Sequence, residues 1–98
     1  MDQVDVFWTK DGAQSPEDIV RYIARDSEFY ASRFAARILS LVERLHSLPE
    51  MGRVVPEDNV PAIRELIFQN YRIVYKFDRV AVFVALVIHG NRRMPASL

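Results

Sequence analysis

The chain has 98 residues, half of them apolar or aromatic, and its 13 basic and 13 acidic groups cancel. That length suits one domain over residues 1–98, and that composition supports a hydrophobic core and excludes a disordered chain. The absence of cysteine rules out disulfides, thiolate metal sites and a thiol nucleophile, and a neutral balance argues against a dedicated duplex-DNA binder.

The opening Met1-Asp2-Gln3-Val4-Asp5-Val6 has no basic leader and no long apolar stretch. The longest apolar run, 80–88, is less than half of the roughly 20 residues that a spanning helix needs. We therefore expect a cytoplasmic protein without a membrane role. The charges are unevenly placed: residues 1–50 hold six basic and nine acidic groups, and residues 51–98 hold seven and four. This points weakly to an acidic partner near the C-terminal half.

In chain order, Val4, Val6 and Trp8 alternate with Asp5 and Phe7, which predicts a strand over 3–9. Lys10-Asp11-Gly12 reads as a turn. Ser15 followed by Pro16 reads as a helix cap and first helical position, with Ile19, Tyr22 and Ile23 as the apolar stripe of a helix ending near Ala24 or Arg25. After a break at Asp26-Ser27, a second helix is predicted over 28–47. Phe34, Ile38, Leu41, Val42 and Leu45 lie on one face, and Arg33, Arg37 and Arg44 on another. The two helices should pack as an antiparallel hairpin. Pro49 and Gly52 end the helix, and 53–61, with two prolines, reads as a loop.

The rest predicts strands at 63–68, 71–77 and 80–89, joined by turns at Gln69-Asn70 and Asp78-Arg79. The tail 92–98 is a weak structure former. The expected class is α+β: an N-terminal strand, a two-helix antiparallel hairpin, then a three-stranded antiparallel meander. The first strand joins beside the last to complete a four-stranded sheet. Two helices cover one sheet face only, yet the last strand is apolar at both alternating sets of positions. Either a partner or the chain's own curvature and aromatics must cover the other face.

Arg64-Glu65-Leu66, Tyr71-Arg72-Ile73-Val74-Tyr75 and His89-Gly90-Asn91-Arg92 resemble the RelE/ParE toxin superfamily, in its ParE or plasmid-stabilisation branch. Trp8-Thr9, Asp18-Ile19 with Tyr22-Ile23, and Leu45 with Leu48-Pro49 and Gly52-Arg53 extend the resemblance along nearly the whole chain. The resemblance implies the toxin of a type II toxin–antitoxin pair. Its cognate antitoxin would be ParD-like and would wrap and silence it, and the toxin would not bind DNA sequence-specifically by itself. ParE relatives inhibit DNA gyrase, and RelE relatives cleave messenger RNA on the ribosome.

RNA cleavage needs a base, an acid and cationic help for the phosphate. His89 is the strongest general-base candidate in the strands, and Arg64, Arg92 and Arg93 could supply cations. Against this, His89 can serve as a strand-end hydrogen-bonding residue. Arg64 and Glu65 point to opposite faces of a strand, so each can pair elsewhere: Arg64 with an acid such as Glu43, or Glu65 with Arg72. His46 reads as a capping or surface residue. Nothing after Arg93 titrates except the carboxyl terminus, and Tyr71 and Tyr75 read as core positions. Inhibition by binding is therefore the favoured reading over ribosome-dependent catalysis, with a non-toxic binding module of the same fold as a further alternative. The expected partner contacts are Arg33, Arg37, Arg44, Arg64, Tyr71, Arg72, His89 and Arg92, with the arginine row of the second helix facing an acidic antitoxin segment. No cofactor or metal is expected, since there is no phosphate-binding glycine loop and no cluster at ligand spacing.

Overall fold

The computed structural model describes residues 3–91. The elements in order are β1 (Asp5–Trp8), α1 (Lys10–Ala24), α2 (Glu28–Glu43), a 3₁₀ turn (Arg44–His46), β2 (Arg53–Val54), β3 (Ile63–Phe68), β4 (Tyr71–Phe77) and β5 (Ala81–His89). The sheet order is β1-β5-β4-β3-β2, with β1 parallel to β5 and the other pairs antiparallel. This is the expected α+β arrangement, with the first strand beside the last. The difference is β2: Arg53 and Val54, expected in a loop, pair with Glu65 and Arg64. Two residues carry no legible alternation, and Pro56 and Pro61 leave little room for a longer strand.

The first helix also departs from expectation. Lys10-Asp11-Gly12 is its first turn rather than a separate turn, and the cap is Thr9, whose hydroxyl accepts from the Gly12 N–H at 3.0 Å. Ser15 and Pro16 sit inside the helix. The reason is tertiary. β1 ends opposite Val84, so no strand covers the outer edge of β5 beyond that point, and α1 supplies the missing partners. The Thr9 N–H donates to the Val84 carbonyl at 3.0 Å, and the Ser15 hydroxyl accepts from the Val87 N–H at 2.8 Å. Ser15 thus caps an edge strand instead of a helix.

On α2, Ala31, Phe34, Ile38 and Val42 are buried, and Leu45 continues the stripe into the 3₁₀ turn. Ser27 caps the helix, accepting from the Tyr30 N–H. This face packs on Leu66, Ile73, Tyr75, Val82, Val84 and Val87 to form the main core. His46 fastens β1 to the helical layer: its Nδ1 lies 2.8 Å from the Val4 carbonyl, and its own carbonyl accepts from the Val4 N–H. The Tyr75 hydroxyl, fully buried, donates to the Pro49 carbonyl and accepts from the Gly52 N–H.

The apolar run of β5 has a geometric explanation. Val74 faces Leu86 and Tyr75 faces Val84, so Ala85 is an extra residue that bulges the strand. The bulge lets Val84 and Val87 both reach the main core. Leu86 and Ile88 go to the helix-free face, where a smaller cluster forms around Val55 and Val74. The segment after β2 therefore closes part of that face from within. Another part stays open, with Phe7 stacked on Phe83 at 5.5 Å and half exposed.

Candidate partner-binding site

On the helix-free face, an ion network ties the loop after β2 to the sheet. Glu65 is fully buried on β3; its carboxylate accepts from Arg72 Nε at 2.5 Å and from Arg53 Nε at 2.6 Å. The remaining Arg72 nitrogens, Nη1 and Nη2, donate to the two oxygens of Glu57 at 2.6 and 2.8 Å. The pairing of Glu65 with Arg72 was one of the sequence alternatives. Glu57 is a member that the sequence did not reveal, since it is brought in only by the fold of the loop.

The bidentate contact with Arg72 holds the Glu57 carboxyl down from its ordinary 4.5 to about 2, helped by its own backbone N–H. The two carboxylates push the Arg72 guanidinium up, and Glu57 contributes most. A carboxyl whose folded pKa lies below its unfolded one stabilises at pH above the unfolded value. That contribution is lost as pH falls from 4.5 through about 2. Glu57→Gln is therefore expected to lose stability relative to wild type near neutrality, and the gap should close across that window. Urea titrations at a series of pH values check this, and a gap that persists undiminished at the acid end contradicts it.

Among the described residues, the two candidates for RNA cleavage, His89 and Arg64, are not brought together. His89 Nδ1 accepts the Asn91 N–H at 3.3 Å. Its ring meets Tyr71 edge-on at 5.5 Å. Arg64 lies well away: it is opposite Tyr75 on β4, whereas His89 is opposite Tyr71. Four residues of strand separate those positions, roughly 13 Å. Arg64 instead holds the turn before β2, donating to the carbonyls of Pro61, Glu50 and Gly52 and pairing with the Glu50 carboxylate rather than with Glu43. Arg92 and Arg93 lie outside the described residues. No group of three histidine, cysteine or acidic residues among the described residues could hold a metal ion.

Of the expected partner contacts, Arg64 and Arg72 prove to be engaged in the fold. The Arg72 side chain is only 8% exposed, with its nitrogens taken by two carboxylates, so it is corrected from a surface contact to a structural one. Tyr71 and His89 border a cleft of about 340 Å³ beside Ser15, Asp18, Ile19 and Tyr22. The arginine row divides: Arg33 and Arg37 line one groove between α2 and the β3–β4 hairpin, whereas Arg44 sits exposed in the 3₁₀ turn and is not part of that lining.

A further groove, missed by the sequence reading, runs between α1 and α2. It measures about 480 Å³ and is mostly apolar, with Trp8, Ala13, Val20, Ala35, Ile38 and Leu39 among its walls. Leu39 is 60% exposed and lies off the core stripe of α2. An apolar residue out of phase with the buried ones was the available signal.

The fold is a five-stranded sheet packed against two helices, with open grooves beside α1 and α2. The family model for the ParE toxin of the type II toxin–antitoxin system parDE matches residues 6–94, and the chain belongs to that family. It is 29% identical, over an alignment of 100 positions that covers all of both chains, to a Sinorhizobium fredii protein assigned as a toxin, Y4kP. The fold matches a chain from the chromosomal ParDE system of P. aeruginosa with a TM-score of 0.72. That match is at 17% identity and covers 89% of this chain and 96% of the other. The chain is thus a ParE-type toxin of a type II toxin–antitoxin system, with a cognate antitoxin as partner. No helix among the described residues is long and apolar enough to cross a membrane.

Proposed function

We propose that this toxin inhibits DNA gyrase by binding it, and that a ParD-like antitoxin silences it. The observation that carries the reading is the match to the ParE branch over residues 6–94, in a chain whose His89 and Arg64 are held apart and engaged elsewhere. The apolar groove between α1 and α2 suits an amphipathic helix of the antitoxin, because Leu39 is largely exposed there and Trp8 and Val20 are only partly buried against the core. Arg33, Arg37, Arg44, Tyr71 and His89 remain contacts for the antitoxin or the target, since they are partly or fully exposed. On this reading the toxin works in the cytoplasm and acts as one domain.

The test uses the purified toxin, freed of antitoxin, in a gyrase supercoiling assay and in a messenger-cleavage assay on translating ribosomes. Supercoiling should be inhibited, messenger should stay intact, and His89→Ala should still fold. Messenger cleavage that His89→Ala abolishes, with supercoiling untouched, would overturn the proposal in favour of ribosome-dependent cleavage.

A further inference from the structure

Three of the four exposed aromatic side chains among the described residues, Tyr22, Phe29 and Tyr30, flank the turn between α1 and α2, and they are 64–66% exposed. Four charged residues stand among them, all exposed: Arg25, Asp26, Glu28 and Arg33. Arg25 ends α1 and Glu28 sits in the first turn of α2, each with the sign that its helix dipole favours, so the turn carries both signs side by side. Among the described residues, none of the four makes a salt bridge. The two cations rest on rings instead, Arg25 over Tyr22 at 5.9 Å and Arg33 over Phe29 at 5.6 Å, and Phe29 meets Tyr30 edge-on at 5.5 Å. This patch shares no residue with the apolar groove between α1 and α2, and it meets the groove beside the β3–β4 hairpin only at Tyr30 and Arg33.

We propose that the α1–α2 turn is a self-association surface whose occupant is a second copy of this chain. Charge complementarity selects that occupant. Two cations and two anions, unpaired and close together, repel a uniformly acidic partner at one half of the patch and a uniformly basic one at the other. A copy related by a two-fold axis presents the same four charges in reverse order. Arg25 and Arg33 then face the copy's carboxylates, Asp26 and Glu28 face its guanidinium groups, and the rings pack around the axis. Aromatic residues and arginine are also the types that contribute most at protein interfaces. The three rings offer roughly 400 Å² per copy, about half of what a standard interface takes from each partner. The dimer is therefore a weak one, with a Kd on the order of 10–100 μM. The inference stands apart from the choice of target, since it concerns the toxin with itself.

The experiment is analytical ultracentrifugation of the full chain without antitoxin, from about 5 to 500 μM. A reversible monomer–dimer equilibrium is expected, weakening with added salt. R25E/R33E makes the patch wholly acidic and D26K/E28K makes it wholly basic. Each alone should dimerise at least about tenfold more weakly than wild type, and an equimolar mixture of the two should recover a one-to-one dimer. F29A, which keeps every charge, should also weaken the dimer. Circular dichroism checks that the variants are folded, and F29A carries the test of the surface if a charge variant is not. A chain that stays monomeric to about 500 μM, or that grows past the dimer, overturns the proposal. So does a dimer that F29A or the folded charge variants leave intact, or a mixture that associates no better than its components.

Discussion

Gly12→Ala is expected to destabilise the protein by about 3 kcal/mol, with a matching fall in the urea midpoint. Gly12 is the buried residue of α1, and a Cβ there would lie 1.9 Å from the Val84 carbonyl oxygen and 2.7 Å from its carbon. Both atoms are backbone of β5, so no side chain can swing aside. Either α1 lifts from the strand or the strand bends. Lifting α1 strains the Thr9 and Ser15 bonds that finish the open edge of β5. Intrinsic helix propensity works the other way, favouring alanine over glycine by about 1 kcal/mol. An unchanged or raised midpoint would mean that propensity governs, and that the close approach of α1 to β5 is not a constraint. The same variant should also reshape the apolar groove, because Trp8 and Ala13 flank the displaced turn.

Arg72→Met should cost about 3–5 kcal/mol, since it leaves the buried Glu65 carboxylate with Arg53 alone and frees Glu57 from the sheet. Arg53 is 60% exposed and gives weaker compensation than the buried guanidinium it would replace. The informative comparison is the double variant Arg72→Met with Glu65→Leu. Removing both charges eliminates the uncompensated group, so the double variant should be more stable than Arg72→Met. Denaturant unfolding of the two single variants and the double closes the cycle. Strictly additive losses would show that Arg72 and Glu65 do not act as a unit. The loop 55–61, held by Glu57 over Val55 and Val74, should become more open to proteolysis in Arg72→Met than in the double variant.

The network also bears on which cations of the sheet are already paired. The helix-free face carries a guanidinium that could steady a phosphate, but two carboxylates neutralise it. The ring of His89, at the other face, has its Nδ1 engaged by the Asn91 N–H. The Arg72 guanidinium is therefore committed to the fold.

Sequence alone determined the parts of this protein that depend on local periodicity. The alternation from Tyr71 to Phe77 and the two-residue turn at Gln69-Asn70 specify the β3–β4 hairpin, and Phe68 indeed faces Tyr71. The spacing of Phe34, Ile38, Val42 and Leu45 specifies the buried face of the second helix. The order of motifs along the chain also sufficed to identify the family. Tertiary structure alone decided whatever rests on contacts between distant segments. Ser15-Pro16 is a sound local start for a helix, yet α1 begins at Lys10 because Thr9 and Gly12 meet the backbone of Val84. The bulge at Ala85 redirects β5 so that two residues three apart share a face, which a strict period of two cannot express. Arg33, Arg37 and Arg44 look equivalent on a helical wheel, but only the first two overhang the floor made by Phe34 and Phe68. Periodicity tells which way a side chain points; what stands opposite it is set by the approach of segments far apart in the chain.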